Sequence, residues 1–162
     1  MHNKFLDKIE LKLLADCKEH ITALATLHYN ELARHWVPNA SIEKAKLWLS
    51  KHLNHEELPL TLVALYDNKP IGMASLRIND GLELDYAPWL GSLVVDPAFR
   101  SLKVGEYLID SIKNKTHNFG YSKLYLLAFD KTLPKWYTKL GWVEIGKEPY
   151  LGHSVTVMEV LL

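Results

Sequence analysis

The run LGSLVVDPAFRSLKVGEYLIDSI, Leu90 to Ile112, joins an apolar strand, a tight turn and a helix start in immediate succession. Leu90 to Val95 is apolar apart from Gly91 and Ser92, Asp96 and Pro97 stop it, and Val104, Leu108 and Ile112 recur at helical spacing. The spacing predicts that the N–H groups of Ser101, Leu102, Lys103, Val104 and Gly105 begin the helix without intrahelical acceptors and point beyond its N-terminus. The helix dipole favours negative charge there, so the expected guest is a phosphate. Other groups able to do chemistry are the carboxylates Glu83 and Asp85 ahead of the strand and the phenol of Tyr137 in WYTKLGW. The eight histidines include no pair at metal-ligand spacing followed by another, so no metal is expected.

The elements that must position these groups read as an α/β chain. Lys8 to Leu13 alternates as a half-buried strand, and Asp16 with Glu19 predicts a capping box for a helix through about Arg34. His35 to Ala40, with Trp36 and Pro38, breaks that helix, and Ser41 caps a second one to about Leu53. Leu60 to Tyr66 and Ile71 to Arg77 predict a hairpin around Asp67, Asn68 and Lys69. Asn79 to Pro88 is a loop leading into the central strand Trp89 to Val95. Beyond the helix, Gly120 is a stop, Lys123 to Phe129 a strand, Pro134 opens a short helix, and SVTVMEVLL closes as a strand. Without linkers or repeats, residues 1–162 are expected to form one domain.

From about Leu60 onward, order and motifs resemble the GNAT superfamily of acetyl-CoA-dependent N-acetyltransferases. That family's pyrophosphate loop reads Gln or Arg, two variable residues, Gly, one variable residue, then Gly or Ala. Here the stretch is Arg100, Ser101, Leu102, Lys103, Val104, Gly105, with lysine in place of the first glycine. The downstream pattern of Asn, Ala three on, an aromatic-Tyr pair and Gly-aromatic is matched by Asp130, Leu133, Trp136, Tyr137, Gly141 and Trp142. The resemblance implies a mixed, mostly antiparallel central sheet flanked by helices and splayed between its two central strands, in the order β, α, α, β, β, β, α, β, α, β, β. It implies acetyl-CoA as co-substrate, held by main chain at Leu93, Val94 and Val95, by the Arg100–Gly105 loop and by Asp130. Tyr137 matches the tyrosine that protonates the leaving thiolate; a phenol of reference pKa about 10 stays protonated beside a thiol of about 8.5.

The acceptor amine, with a reference pKa of about 10.4, must lose a proton before it attacks. Some relatives carry a glutamate where this chain has Trp89; the nearest carboxylates, Glu83 and Asp85, are the candidate bases, acting through water, with a solvated loop as the alternative role for each. His28, Trp36, Tyr86, Trp89 and Tyr150 are the expected lining of an acceptor pocket, reached by His153 from the loop before the last strand. Ile78 to Phe99 contains no lysine or arginine but holds Asp80, Glu83, Asp85 and Asp96, whereas basic residues outnumber acids from Arg100 to Lys139. The basic side suits coenzyme A phosphates, and the acidic rim predicts a cationic amine.

Lys plus Arg and Asp plus Glu both total 19, which argues against nucleic-acid binding. No segment is long and apolar enough to span a bilayer, the N-terminus lacks the core of a signal peptide, and one cysteine, Cys17, cannot form an internal disulfide. A cytoplasmic monomer or homodimer is expected. Three functions stay open: an N-acetyltransferase for a small cationic amine or a peptide N-terminus, a degenerate acyl-CoA sensor without turnover, and an interaction module that uses an exposed Trp36.

Overall fold

The computed structural model describes residues 3–162. Leu60–Tyr66 (β2) and Lys69–Arg77 (β3) form the expected hairpin, closed by Asp67 and Asn68 at φ 50° and 61°, the left-handed pair that a two-residue turn matching strand twist requires. Ile9–Leu13 (β1) pairs antiparallel with β2, and Trp89–Val95 (β4) pairs antiparallel with β3. Lys123–Ala128 (β5), Val143–Tyr150 (β6) and His153–Leu161 (β7) complete a seven-stranded sheet in the order β1-β2-β3-β4-β5-β7-β6. The β4–β5 pair is parallel and joined at a single register position, Trp89 with Tyr125, so the two strands part beyond it.

Met73 of β3 faces Val94 and Ser75 faces Gly91, so β4 carries an extra residue between these pairs, and Ser92 there has φ 49°. Side-chain alternation therefore changes phase: Leu90 packs into the core on one side of the sheet and Val94 into the core on the other.

Ile21–His28 (α1) continues through a π-helical stretch, Tyr29–Ala33, into the short Arg34–Trp36 (α2), followed by Ile42–Leu49 (α3). Ser41 caps α3 as expected, its Oγ accepting from the Lys44 N–H at 3.1 Å. α1 and α3 bury Leu24, Ala25, Ala45 and Leu49 against Val63, Leu65, Met73 and Val94. On the other face, Val104–Asn118 (α4) buries Val104, Leu108, Ile109 and Ile112 against Leu62, Ile71, Leu76, Leu124 and Met158. Leu133–Lys139 (α5) joins the same core through Tyr137.

Three expectations are corrected. The Asp16–Glu19 capping box does not form: α1 starts at Ile21 without a side-chain cap, and Asp16 instead accepts from His55 Nε2 at 2.7 Å. The second helix stops at Leu49, short of Leu53, because His52 folds back and donates from Nδ1 to the Trp48 carbonyl at 2.8 Å. The helix after β4 begins at Val104; Ser101 and Lys103, at φ 65° and 66°, belong to the turn before it.

Candidate active site

A cavity of about 510 Å³ opens where β4 and β5 part, with α1, α2 and α3 on its other side. Leu90, Gly91, Ser92 and Leu93 of β4, Leu126 to Ala128 of β5, Asp130 and Tyr137 line one part of it, and Phe129, stacked on Trp36, stands at the border with the other. His28, Trp36, Trp48, Arg77, Asp80 and Tyr150 line another.

On the β4–β5 side the useful groups are backbone. Beyond Trp89 no strand among the described residues pairs with the β5-facing edge of β4, which leaves main-chain groups of Leu93 to Val95 available to an extended guest. The turn Arg100 to Lys103 then delivers the first N–H groups of α4. Lys103 holds φ 66°, a left-handed conformation glycine adopts without strain, so the backbone path survives the lysine; its Nζ turns to Glu106 Oε2 at 3.3 Å. A Cβ added at Gly105 would meet Trp136 at 3.5 Å and Val95 at 3.8 Å, ordinary contacts, so alanine fits there and a longer chain must project past them. Arg100 pairs with Glu31 at 3.1 Å and ties the turn to the π-helical stretch. Asp130 Oδ1 accepts from the N–H and Oγ1 of Thr132 at 2.8 and 2.7 Å, and these bonds hold its carboxyl below the usual range.

Tyr137 is buried, lines the cavity and rests against Trp136 and Trp142 with ring centroids at 4.9 and 5.8 Å. Burial pushes its phenol well above the ordinary tyrosine value. It therefore stays protonated, and its hydroxyl is a hydrogen-bond donor in the cavity wall.

A polar cluster on the other side escaped the sequence reading. Arg77, at the end of β3, is buried; its Nε donates to His52 Nε2 at 2.9 Å, its Nη2 to Ser92 Oγ at 2.7 Å and its Nη1 to Asp80. Its guanidinium lies 3.9 Å from the centre of the Trp48 ring. Ser92 Oγ also meets His28 Nε2 at 3.2 Å. The arrangement requires Gly91, whose added Cβ would crowd the Arg77 guanidinium and come within 2.9 Å of Asp80 Oδ1. Burial first, then the Arg77 charge, lower both His28 and His52 to about 4, so both are neutral at pH 7. Burial raises the Asp80 carboxyl, and the adjoining guanidinium opposes that rise.

The predicted residues divide accordingly. His28, Trp36, Tyr150, Leu93, Asp130 and Tyr137 line the cavity. Glu83 and Asp85 do not; both are exposed, so neither stands beside the cavity as a base. Tyr86 and Trp89 are also elsewhere: Tyr86 stacks on Tyr125 at 4.7 Å, and Trp89, 1% exposed, donates from Nε1 to the Tyr86 carbonyl at 2.7 Å. His153 begins β7 and meets Trp36 edge-on at 5.2 Å. Trp36 is half-buried and stacked on Phe129, which removes the exposed ring expected of an interaction surface. Asp80 is spent on Arg77, so the acidic rim loses the member that reaches the cavity. Composition makes Asp80 a rim charge because it counts a carboxylate without its partner. The available signal was Arg77, a cation closing an otherwise apolar strand three residues before it.

The parallel strands β4 and β5 part beyond Trp89 and Tyr125, and the cavity lies in the gap between them. The sequence model of the acetyltransferase (GNAT) family matches residues 15–142, and the chain belongs to that family. No curated protein matches the sequence significantly. Among solved structures, a GCN5-related N-acetyltransferase from Kribbella flavida is 17% identical with a TM-score of 0.74, over 97% of this chain and 99% of that one. Aminoglycoside 6'-acetyltransferase type Ii is 17% identical with a TM-score of 0.72, over 94% and 96%. A Bacillus anthracis protein described as a streptothricin acetyltransferase, solved in complex with acetyl coenzyme A, is 21% identical with a TM-score of 0.61, over 70% and 68%. No helix among the described residues is long and apolar enough to cross a membrane.

Proposed function

We propose that the chain is an acetyl-CoA-dependent N-acetyltransferase that passes the acetyl group to a primary amine by direct attack on the thioester. The observation that carries this reading is one cavity holding both the parted β4 edge with Tyr137 and an adjoining space lined from the α1–α3 side. Acetyl-CoA supplies an acetyl group activated as a thioester. N–H groups of Leu93 to Val95 polarise its carbonyl oxygen, and those at the start of α4 hold phosphate. The neutral amine nitrogen forms the new C–N bond, the C–S bond breaks, the sulfur leaves as a thiolate hydrogen-bonded by the Tyr137 hydroxyl, and the proton shed by the nitrogen passes to that sulfur, giving an amide and a free thiol.

The amine's proton is the less usual part. Glu83 and Asp85 stand outside the cavity, Asp80 is paired, and His28 at about 4 is too weak a base to deprotonate an ammonium. The amine is therefore taken from solution in its neutral form. Turnover at low amine concentration should rise about tenfold per pH unit until the pH nears the amine's own pKa of about 10.

Thiol release from acetyl-CoA with a panel of amines tests the function, and the protein does not interfere with it. Cys17 is buried, and burial pushes its thiol up to about 11. Thermal stabilisation by acetyl-CoA without thiol release from any amine would leave a sensor; no stabilisation would remove the cofactor altogether. A plateau of activity near neutral pH would restore a protein base.

A further inference from the structure

We infer that the pocket on the α1–α3 side takes a primary amine carried on a flat apolar substituent, an arylalkylamine, and that Trp36 and Phe129 select it. This rests on the N-acetyltransferase reading and names its acceptor class. Trp36 and Phe129 stack with centroids 5.6 Å apart at 17°, and Phe129 continues to Tyr150 at 5.8 Å and 29°, so three rings from α2, the end of β5 and the end of β6 form one wall. His153 braces it edge-on, 5.2 Å from Trp36 and 5.8 Å from Phe129. Trp48 and His28, with centroids 5.4 Å apart, also line the cavity, as do Leu32, Val37 and Pro38.

The charges in the lining are already engaged. Arg77 and Asp80 hold each other, Lys44 Nζ donates to the Asn39 carbonyl at 2.7 Å, and Asp130 accepts from Thr132. On the α1–α3 side a second cation on the acceptor would meet only the Asp80 carboxylate, already paired with Arg77, because Asp130, bonded to the neutral Thr132, lines the β4–β5 part; that cation would be desolvated at a cost. The aromatic faces offer little substitute: the Arg77 guanidinium covers one face of Trp48, and Trp36 and Phe129 each spend a face on the other. What the pocket offers is apolar ring surface beside a route to the parted β4 edge. An aromatic ring one or two methylenes from its amine matches that surface.

The test measures kcat/KM by thiol release for 2-phenylethylamine, propylamine, 1,5-diaminopentane, glutamate and a tetrapeptide beginning with Phe. 2-Phenylethylamine should exceed propylamine by about tenfold or more, the scale of added apolar contact in a pocket, and exceed the diamine and glutamate as well. Trp36→Ala and Phe129→Leu should each lower the ratio of the 2-phenylethylamine value to the propylamine value about tenfold. Preference for the diamine or glutamate, or an unchanged ratio in both variants, overturns the assignment; so does a peptide that outperforms the small amine. Quenching of tryptophan fluorescence by 2-phenylethylamine reads the pocket without turnover. Saturable quenching that weakens in Phe129→Leu supports the assignment and its absence overturns it, whereas loss of thiol release with quenching intact strikes only the catalytic reading.

Discussion

On the β4–β5 side of the cavity the proposed chemistry is carried by backbone, at Leu93 to Val95 and in the turn into α4. On the α1–α3 side it is carried by side chains, with Arg77 holding Asp80, His52 and Ser92 at once. The two constructions fail differently. A backbone site accepts changes of side chain as long as φ and ψ are kept, as Lys103 demonstrates at φ 66°. A buried polar network depends on every member, because removing one strands the others without water.

The largest expected effect therefore lies in the network. Arg77→Met leaves Asp80, 13% exposed, without its counter-charge, and should cost about 3–5 kcal/mol, the range for breaking a buried ion pair from one side. Urea denaturation measures it. Adding Asp80→Asn should recover part of the loss because no charge is then stranded. A loss under about 1 kcal/mol would mean that the pair is solvated and that the contrast between the two sides is false.

Tyr137→Phe comes next and probes the β4–β5 side where a side chain does enter. The ring and its contacts with Trp136 and Trp142 are kept, so stability and acetyl-CoA affinity should hold while kcat falls by about one to three orders of magnitude. Unchanged turnover in the folded variant would make that side purely backbone-built.

The network should also respond to acid. His28 and His52 are lowered to about 4 in the folded chain, against about 6.5 when unfolded, so between these values the unfolded chain binds more protons. Stability then falls as pH drops from about 6.5 towards about 4, by on the order of 3 kcal/mol for one such histidine and less than double for the coupled pair. Urea midpoints across that range check the slope, and His28→Gln with His52→Gln should flatten it. An equally steep slope in the double variant would assign it to carboxylates instead.

The same contrast explains what the sequence showed. The strand, turn and helix around Leu90 to Ile112 were legible because local periodicity and a Pro stop specify them, and the hairpin at Asp67 and Asn68 for a similar reason. The bulge at Ser92 was not legible, since the extra residue carries no side-chain signature. Nor was the Arg77 cluster: it joins β3, the loop after α3, β4 and α1, and charge counting takes Arg77 and Asp80 as solvated. Glu83 and Asp85 were favoured because they are near in sequence, but the loop holds them outside the cavity. Local pattern located the backbone side, whereas contacts between distant segments built the other.

The smallest expected effect is at Lys103, where the two sides can be compared most sharply. If the turn binds through its N–H groups, the side chain is incidental, and Lys103→Gly should leave acetyl-CoA affinity within about tenfold by calorimetry. Two stability terms then compete. Glycine removes the cost of holding an L-residue at φ 66°, about 1 kcal/mol, but adds freedom to the unfolded chain and loses the exposed contact with Glu106. The net change should stay within about 1 kcal/mol. Gly105→Glu is the matched control, since it keeps the turn conformation and places a negative charge beside the N–H groups that would hold phosphate. It should weaken acetyl-CoA far more than Lys103→Gly does. Equal losses from both would show that the lysine ammonium, and not the backbone, holds the anion, and Lys103 would then join Arg77 among the residues that act through their side chains.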